Sequence, residues 1–468
     1  MNKVTREADH LRIPASVAPD SLEPLDHILF ALKHEGVNLQ ILAQALPLVD
    51  AKSLRNAIQS KPTSSYLRVA AFLWEHFTGQ ILENMPSVRA TTVPVFDRNR
   101  YVTTDTGPRS DRWKVEFNGL GTLDYCVTIE RTAALQHYLD SDILRESREF
   151  WVNTDHELLD RAIAWAYLHE TTSSFAIERE TLSHSKADSF MQILRQVSVP
   201  RRLDEKYLVD LQNQMVSNPL DRAVFYRHQQ NWLTNGAPRS LGITYVPPPP
   251  EILPHLMTDL LKLDATLRGN ADSILSASIL SFGFVFLHPF MDGNGRLSRF
   301  LFHWSLAQSG ELPDGMLLPV SVAMKRNERE YLEALQHFSK PAREFWDIQW
   351  IDSDHYDLNF VGSESMYRYW DATPMALFGF RMAEEALRYD LQHEIDRLRA
   401  YDAIYRQIDA EYDVRNSDLS SLIQSCLDNQ GKISKNRKKQ FSLSVPAPVF
   451  DAIETAWDTF SVSKGVKL

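Results

Sequence analysis

Apolar residues recur every three or four positions over most of the chain, and two short islands break that rhythm. From Leu25 to Gln80 the spacing of Leu, Ile, Ala and Phe is helical, and Pro62 with Thr63-Ser64-Ser65 marks a helix start. Between about Val88 and Glu130 β-branched and aromatic runs take over, at Val93-Pro94-Val95-Phe96, Tyr101-Val102-Thr103-Thr104 and Trp113-Lys114-Val115-Glu116-Phe117. With a turn signal at Phe117 to Gly121, they predict a small antiparallel sheet or hairpin pair. Helical spacing then holds to roughly residue 220, including His156 to Glu170, where Leu158, Leu159, Ala162, Ile163 and Ala166 share a face.

The second island, Phe225 to Pro250, reads as a hairpin around Asn235-Gly236, and Pro247 to Pro250 form a rigid connector into the next helix. Ile279 to Leu287 is almost wholly apolar, a buried core helix, and Arg296 to Phe302 is amphipathic again. The polar residues between them therefore sit on a helix-loop-helix corner. Beyond Asp352, Tyr367 to Tyr412 is a long helical stretch broken near Pro374, and Asp418 to Trp457 reads as short helix, turn, short helix. The expected fold class is mainly α, in three parts: an N-terminal helical region over 1–154 with a small sheet near 88–130, a core over 155–350, and a helical C-terminal module over 351–468 of helix-turn-helix or winged-helix kind.

Composition narrows this only a little. The chain has 468 residues, 44% hydrophobic and 24% charged, enough for two or three cores, and its net charge of -11 gives no general basic footprint for nucleic acid. Cys126 and Cys426 stand far apart without metal-ligand spacing, so neither a disulfide framework nor a zinc site is expected. The charged segment Met1 to His10 lacks an apolar signal core, and no run is long enough to span a bilayer. A cytoplasmic home follows, with export as an effector left open.

The corner reads His288-Pro289-Phe290-Met291-Asp292-Gly293-Asn294-Gly295-Arg296-Leu297-Ser298-Arg299. A Gly-Asn-Gly turn at a helix start can aim successive backbone N–H groups into one concavity and add the positive end of the helix, as phosphate oxygens require. Asp292 is a hard oxygen ligand of the kind Mg²⁺ takes when phosphate and water fill the rest of its shell. Arg296 and Arg299, three apart on one helix face, can both reach a polyphosphate, and His288 is a base able to take a proton from a hydroxyl near neutral pH. Alone, each residue has a commoner structural use: a hydrogen-bonded core His, an Asp-Gly turn, a solvated Arg pair. The fixed order of all of them is what points to a nucleotide site.

Residues 288–299 resemble the signature of the Fic family without a departure. The resemblance extends over roughly 155–345: Tyr226 to Pro250 is similar to the family's flap hairpin, and Leu318 to Ser321 with Tyr331 to Leu335 to the helix closing its nucleotide pocket. It implies a Fic-type helical core and transfer of AMP from ATP, with Mg²⁺, to a Ser, Thr or Tyr hydroxyl of a protein, this chain included. His288 would deprotonate the hydroxyl, and Asp292 would hold Mg²⁺. Gly293, Asn294 and Gly295 would cradle phosphates, and Arg296 and Arg299 would neutralise the leaving pyrophosphate. Asn231, Trp232, Leu233 and Thr234 of the flap would pin the target by strand addition, and Tyr331 and Gln336 would lie at the adenosine end.

Ser173 to Glu178 resembles the family's inhibitory helix motif, a Ser or Thr four residues ahead of a Glu, within a helix over about 156–180. Ser174 and Glu178 would make it a brake, with Glu178 competing for Arg299. The family prefers Gly or Asn after the Glu, and this chain has Arg179. Three other readings stay open: removal of AMP by the same site, another nucleotide donor, and a non-catalytic regulator touching DNA through the basic run Gly431 to Gln440. A solvated basic face is the commoner use of such a run. Oligomeric state is unmarked.

Overall fold

The computed structural model describes residues 5–464 apart from 8, 9, 20, 217, 238, 353 and 354, so part of the charged N-terminal segment and Pro238 of the flap lie outside the described residues. The architecture is mainly α with small β elements. Two compact units share the chain, and neither is one continuous stretch. The first takes the residues up to Asp142, Ser183–Glu311 and Asn327–Phe380; the second takes Ile143–Leu182, Leu312–Arg326 and Arg381 onward.

In the first unit, α1 (Pro24–His34), α2 (Leu39–Ala45), α3 (Ala51–Ser60) and α4 (Ser65–Thr78) follow the helical spacing. Short polar side chains start two of them: Asn38 accepts from the Ile41 N–H at 3.1 Å and Asp50 from that of Ser53 at 2.9 Å. Ser64 is the N-cap residue of α4, where the start signal was expected, and Gly79 ends it in the left-handed conformation. Leu54, Ile58, Leu73 and Trp74 bury their apolar faces in one cluster with Phe96, Trp113 and Val115.

A strand pair, β1 (Thr5–Glu7) with β2 (His10–Arg12), precedes these helices. The 88–130 island forms two three-stranded sheets, not the expected antiparallel one. In one, β3 (Val93–Pro94) runs parallel to β5 (Val115–Glu116), which pairs antiparallel with β4 (Arg109–Ser110). In the other, β7 (Cys126–Thr128) pairs antiparallel with β6 (Leu120–Gly121) and parallel with β12 (Tyr369–Asp371). Parallel partners need distant crossovers, which local patterning does not show. Tyr101 to Thr104 is no strand and carries a single bridge, Tyr101 to Glu130. The buried Asn118 side chain takes a strand's place by accepting from the Phe96 N–H and donating to its carbonyl, both at 2.9 Å.

The rest of the first unit comprises α5 (Ala133–Asp140), α8 (His184–Leu194), α9 (Glu205–Met215), β8 (Leu233–Thr234), β9 (Ile243–Tyr245), α10 (Leu253–Leu267), α11 (Ser273–Leu287), α12 (Asn294–Gln308) and α14 (Glu328–Arg343). It closes with β10 (Trp346–Trp350), β11 (Tyr356–Phe360), α15 (Ser365–Arg368) and the start of α16 (Thr373–Glu385). The antiparallel β10–β11 hairpin was not read from the sequence, although its residues alternate in burial along β11.

The second unit holds α6 (Ile143–Val152), α7 (His156–Ile177), α13 (Val320–Arg326), the end of α16, a π-helical turn over Ala386–Leu391 and α17 (Gln392–Glu411). Within it α13 is fastened at both ends. The buried Glu170 carboxylate of α7 accepts from the backbone N–H of Ser321 at 2.8 Å and from its hydroxyl, and Arg326 pairs with Asp390 at 2.5 Å and Glu385 at 2.8 Å. The helices α18 (Asn416–Asp428), α19 (Lys435–Phe441) and α20 (Ala447–Lys464) pack with the end of α17 around Ile404, Leu422, Val449 and Ile453. In the basic run, Lys438 pairs with Glu454 and Asp451, and Lys432 with Glu454 and Asp458, so carboxylates of α20 offset part of its charge.

The end of α7 explains the departure at residue 179. Arg179 adopts a φ of 57°, its N–H donates to Ala176 O, and the Glu180 N–H donates to Phe175 O, each at 3.1 Å. This pair of bonds closes a helix with a left-handed residue just past its end, where glycine or asparagine avoids the steric cost that Arg179 bears. Arg179→Gly should therefore raise stability by about 0.5–1 kcal/mol, read as a higher midpoint in urea unfolding with an unchanged slope. A lower midpoint would show that the arginine side chain outweighs its backbone strain.

Candidate active site

The site begins with α11, buried at every position but Val285. Gly283 lets α10 approach, since a Cβ there would lie 2.7 Å from a Leu260 methyl. Across the corner, the Ser281 and Ser298 hydroxyls meet at 3.1 Å and hold α11 against α12. A helix so enclosed cannot give its last carbonyls to water, so each needs a protein donor.

Two of the donors come from His288 itself and a third from Tyr245 of the flap. The Phe284 carbonyl accepts from the His288 N–H at 3.0 Å, that of Val285 from the His288 ring at 3.2 Å, and that of Phe286 from the Tyr245 hydroxyl at 2.5 Å. His288 leaves the helix at φ 49° and ψ 59°, and its own carbonyl accepts from Arg227 Nε at 2.9 Å. The Arg227 N–H donates to Pro289 O at 2.8 Å, and Asn231 Nδ2 to Phe290 O at 3.2 Å.

The second half of the corner is set by Asn294 and Gly293. Gly293, at φ 87°, is the N-cap residue of α12. The buried Asn294 side chain turns back to accept from the Phe290 N–H at 3.0 Å and to donate to the Phe290 carbonyl at 2.7 Å. The Asn294 side chain is thus spent on holding the loop.

Asp292 is half exposed; one oxygen accepts from the Gly293 N–H at 2.7 Å and the other lies 3.4 Å from Arg296 Nη2. Among the described residues no group of three His, Cys, Asp or Glu forms a metal cage. One accessible carboxylate is the protein share expected for Mg²⁺ brought in on substrate phosphates, so the residues fit that ion. Arg296 and Arg299 are both buried, at 2% and 1% exposure, and Arg296 Nη1 donates to Met215 O at 2.9 Å. Gln212 of α9 props the loop by donating to Asp292 O at 3.2 Å and Asp221 O at 2.8 Å.

The flap differs from its expectation. Only Leu233 and Thr234 form its outer strand, both exposed, and residues 235–242 connect it to β9 through a 3₁₀ turn at Arg239–Gly242, in place of a tight Asn-Gly turn. Asn231 is folded onto the corner, and Trp232 packs edge-on against Tyr356 of β11 at 5.3 Å. These two therefore anchor the flap, and of the four residues Leu233 and Thr234 are the exposed ones. Ile243 and Val246 pack with Trp346, and the Tyr367 hydroxyl donates to Val246 O at 3.1 Å while accepting from Trp346 Nε1 at 2.9 Å. Two strands this short are not stable alone, and β10–β11 supplies their apolar backing.

Four candidates remain, two in each unit. Tyr331 is buried against Phe378 and Phe282 and serves the core, whereas Gln336 lies on the exposed side of α14. Ser174 is buried within α7, and Glu178 is an exposed residue at its C-cap, both in the second unit. Arg227, Gln212 and Tyr245, which hold the corner, were missed: nothing local marks an arginine that binds carbonyls sixty residues away. Both cysteines are buried free thiols, and burial pushes the Cys426 thiol up to about 12. Among the described residues no helix is long and apolar enough to cross a membrane.

With corner and flap in place, the class of domain is defined. Residues 202–306, from α9 through most of α12, match the model of the Fic/DOC family, and the chain carries a Fic/DOC family domain there. It is similar to a probable protein adenylyltransferase of Aquifex aeolicus (strain VF5), with 24% identity over 204 residues. The match takes 40% of this chain and 59% of that protein, so the chain spans less than two thirds of that relative's length. Solved structures similar to it include a Fic family protein from Desulfovibrio desulfuricans G20, at 17% identity and a TM-score of 0.40, covering 71% of this chain and 90% of that one. Another is a Fic domain containing signaling protein from Bacteroides thetaiotaomicron VPI-5482, at 17% identity and a TM-score of 0.38, covering 56% and 96%.

The backing hairpin is open to a direct test. Tyr356→Ala should speed amide exchange across residues 231–245 on the order of tenfold, the loss of about 1.4 kcal/mol of aromatic packing, and leave 273–287 unchanged. Unchanged flap exchange would mean that the hairpin does not support it.

Proposed function

We propose that the domain transfers AMP from ATP to a Ser, Thr or Tyr hydroxyl of a protein, releasing pyrophosphate. The observation that carries this reading is the His288 ring bond. A carbonyl can only accept, so Nδ1 bears the proton toward Val285 O, and in the neutral ring the lone pair stands on Nε2. His288 is thereby tautomerically set as a base. The hydroxyl proton passes to Nε2 as the hydroxyl oxygen attacks the α-phosphorus, and the bond to the pyrophosphate oxygen breaks.

Asp292 would hold Mg²⁺, whose charge would offset that of the phosphates when bound. The backbone of Gly293 to Gly295 would meet phosphate oxygens at the start of α12, and Arg296 and Arg299 would supply charge on the same helix. Leu233 and Thr234 would align an extended target segment by strand addition, which reads backbone more than sequence. The adenylyltransferase name of the Aquifex relative supports the same chemistry. Removal of AMP by the same residues, or a different nucleotide base, would use the same phosphate cradle. A DNA-binding regulator has less support, because Lys432 and Lys438 already face carboxylates.

We also propose that Glu178 restrains the enzyme. It sits at a helix end closed by two backbone bonds, which fixes the direction in which its side chain leaves α7.

The test is label transfer from α-³²P-ATP to the protein itself and to a cell lysate. His288→Ala should lower transfer by roughly 100-fold or more, the usual weight of a general base, and Glu178→Gly should raise it above wild type. Absence of label in both wild type and Glu178→Gly, with intact fold, overturns AMP transfer; equal labelling in the two removes the brake alone.

A further inference from the structure

Arg227 is the buried cation that no sequence pattern announced, with 5% of its surface exposed. Its bonds go to backbone carbonyls: Nε to His288 O at 2.9 Å, Nη1 to Gln229 O at 3.1 Å and Nη2 to Pro248 O at 2.5 Å, with its own N–H on Pro289 O. These acceptors lie on two structures, the cap of α11 and the two ends of the flap. One guanidinium fork thus joins the peptide that carries the imidazole to the hairpin that would present a target.

The conformation it holds is an expensive one. His288 is left-handed, which costs a residue with a Cβ roughly 1–2 kcal/mol, and the proline after it favours an extended predecessor. Burying a guanidinium is costly too, and burial lowers the Arg227 pKa to about 10. A costly cation braced on a strained residue is a combination expected where geometry serves chemistry. Its fork shape suits the task, since three divergent carbonyls are beyond the reach of an ammonium.

We propose that Arg227 is a positioning residue: it holds His288 in the left-handed conformation and locks the imidazole in register with the flap. The Tyr245 hydroxyl on Phe286 O and Asn231 Nδ2 on Phe290 O are further ties between the flap and the corner. Arg227 acts through the backbone of 288–289 and touches no substrate phosphate. The kinetic part of this inference rests on His288 being the base; the conformational part does not.

The decisive variant is Arg227→Lys, which keeps the charge and loses the fork. In protein with selectively ¹³C-labelled histidine, the His288 Cα and Cβ shifts, assigned by their loss in His288→Gln, report its backbone directly. They should move from left-handed toward extended values in Arg227→Lys, and amide exchange at residues 288–290 and 231–245 should rise together. With ATP and a labelled acceptor, kcat should fall roughly 10- to 100-fold, as misplacement of a catalytic group does, while KM for ATP stays within about twofold.

Unmoved His288 shifts overturn the proposal whatever the activity. A raised KM for ATP with unchanged kcat also overturns it, by showing that the cation serves phosphate binding. If wild type transfers no nucleotide, the AMP reading fails and the shifts still decide on Arg227. Where the lysine variant does not fold, Arg227→Gln, a neutral donor to one carbonyl, takes its place: moved His288 shifts support the positioning role and unmoved shifts overturn it.

Discussion

The structure around the corner depends on how the last turn of α11 is satisfied. A helix buried on nearly every face ends with carbonyls that water cannot reach, and each one left bare would cost about 1–3 kcal/mol. His288 supplies two of the donors, through its backbone and its ring, and Tyr245 and Arg227 supply others from either end of the flap. The same bonds that close the helix therefore set the tautomer of His288, its backbone conformation and its link to the hairpin. One set of hydrogen bonds thus closes the helix and orients the His288 ring.

That arrangement also explains how an acidic chain builds a cationic corner. Net charge is -11, yet Arg227, Arg296 and Arg299 are all buried near one loop. Arg227 and Arg296 are solvated in part by carbonyls, at His288, Pro248 and Met215, so their positive charge is less fully cancelled than it would be by carboxylates alone. Asp292 beside Arg296 supplies the carboxylate, half exposed, where an incoming cation could take it over. The cationic character of the corner is thus a matter of where three arginines are buried and is independent of the sign of the net charge.

Support for the corner comes from parts of the chain that look unrelated to it. The β10–β11 hairpin covers the apolar side of the flap, α9 props the loop through Gln212, and β12 enters the N-terminal sheet in parallel beside β7. The first unit is accordingly made of three separate stretches of the chain. In the second unit the end of α7 is closed by a bond pattern that explains a preference for glycine and shows how an arginine can stand in its place.

By itself the sequence determined the helices, whose apolar spacing at 25–80, 156–170 and 279–287 survives any packing, and the identity of the corner, because its chemistry is contiguous in twelve residues. It also determined that a hairpin precedes α10, through prolines that no central strand tolerates. Tertiary structure alone decided that Asn294 turns inward, that Asn231 and Trp232 anchor the flap, that Tyr331 joins the core and that Arg227 donates to the His288 carbonyl. The physical reason is range. Periodicity and turn chemistry act over a few residues and are written locally, whereas a buried polar group takes whichever partner the fold brings to it.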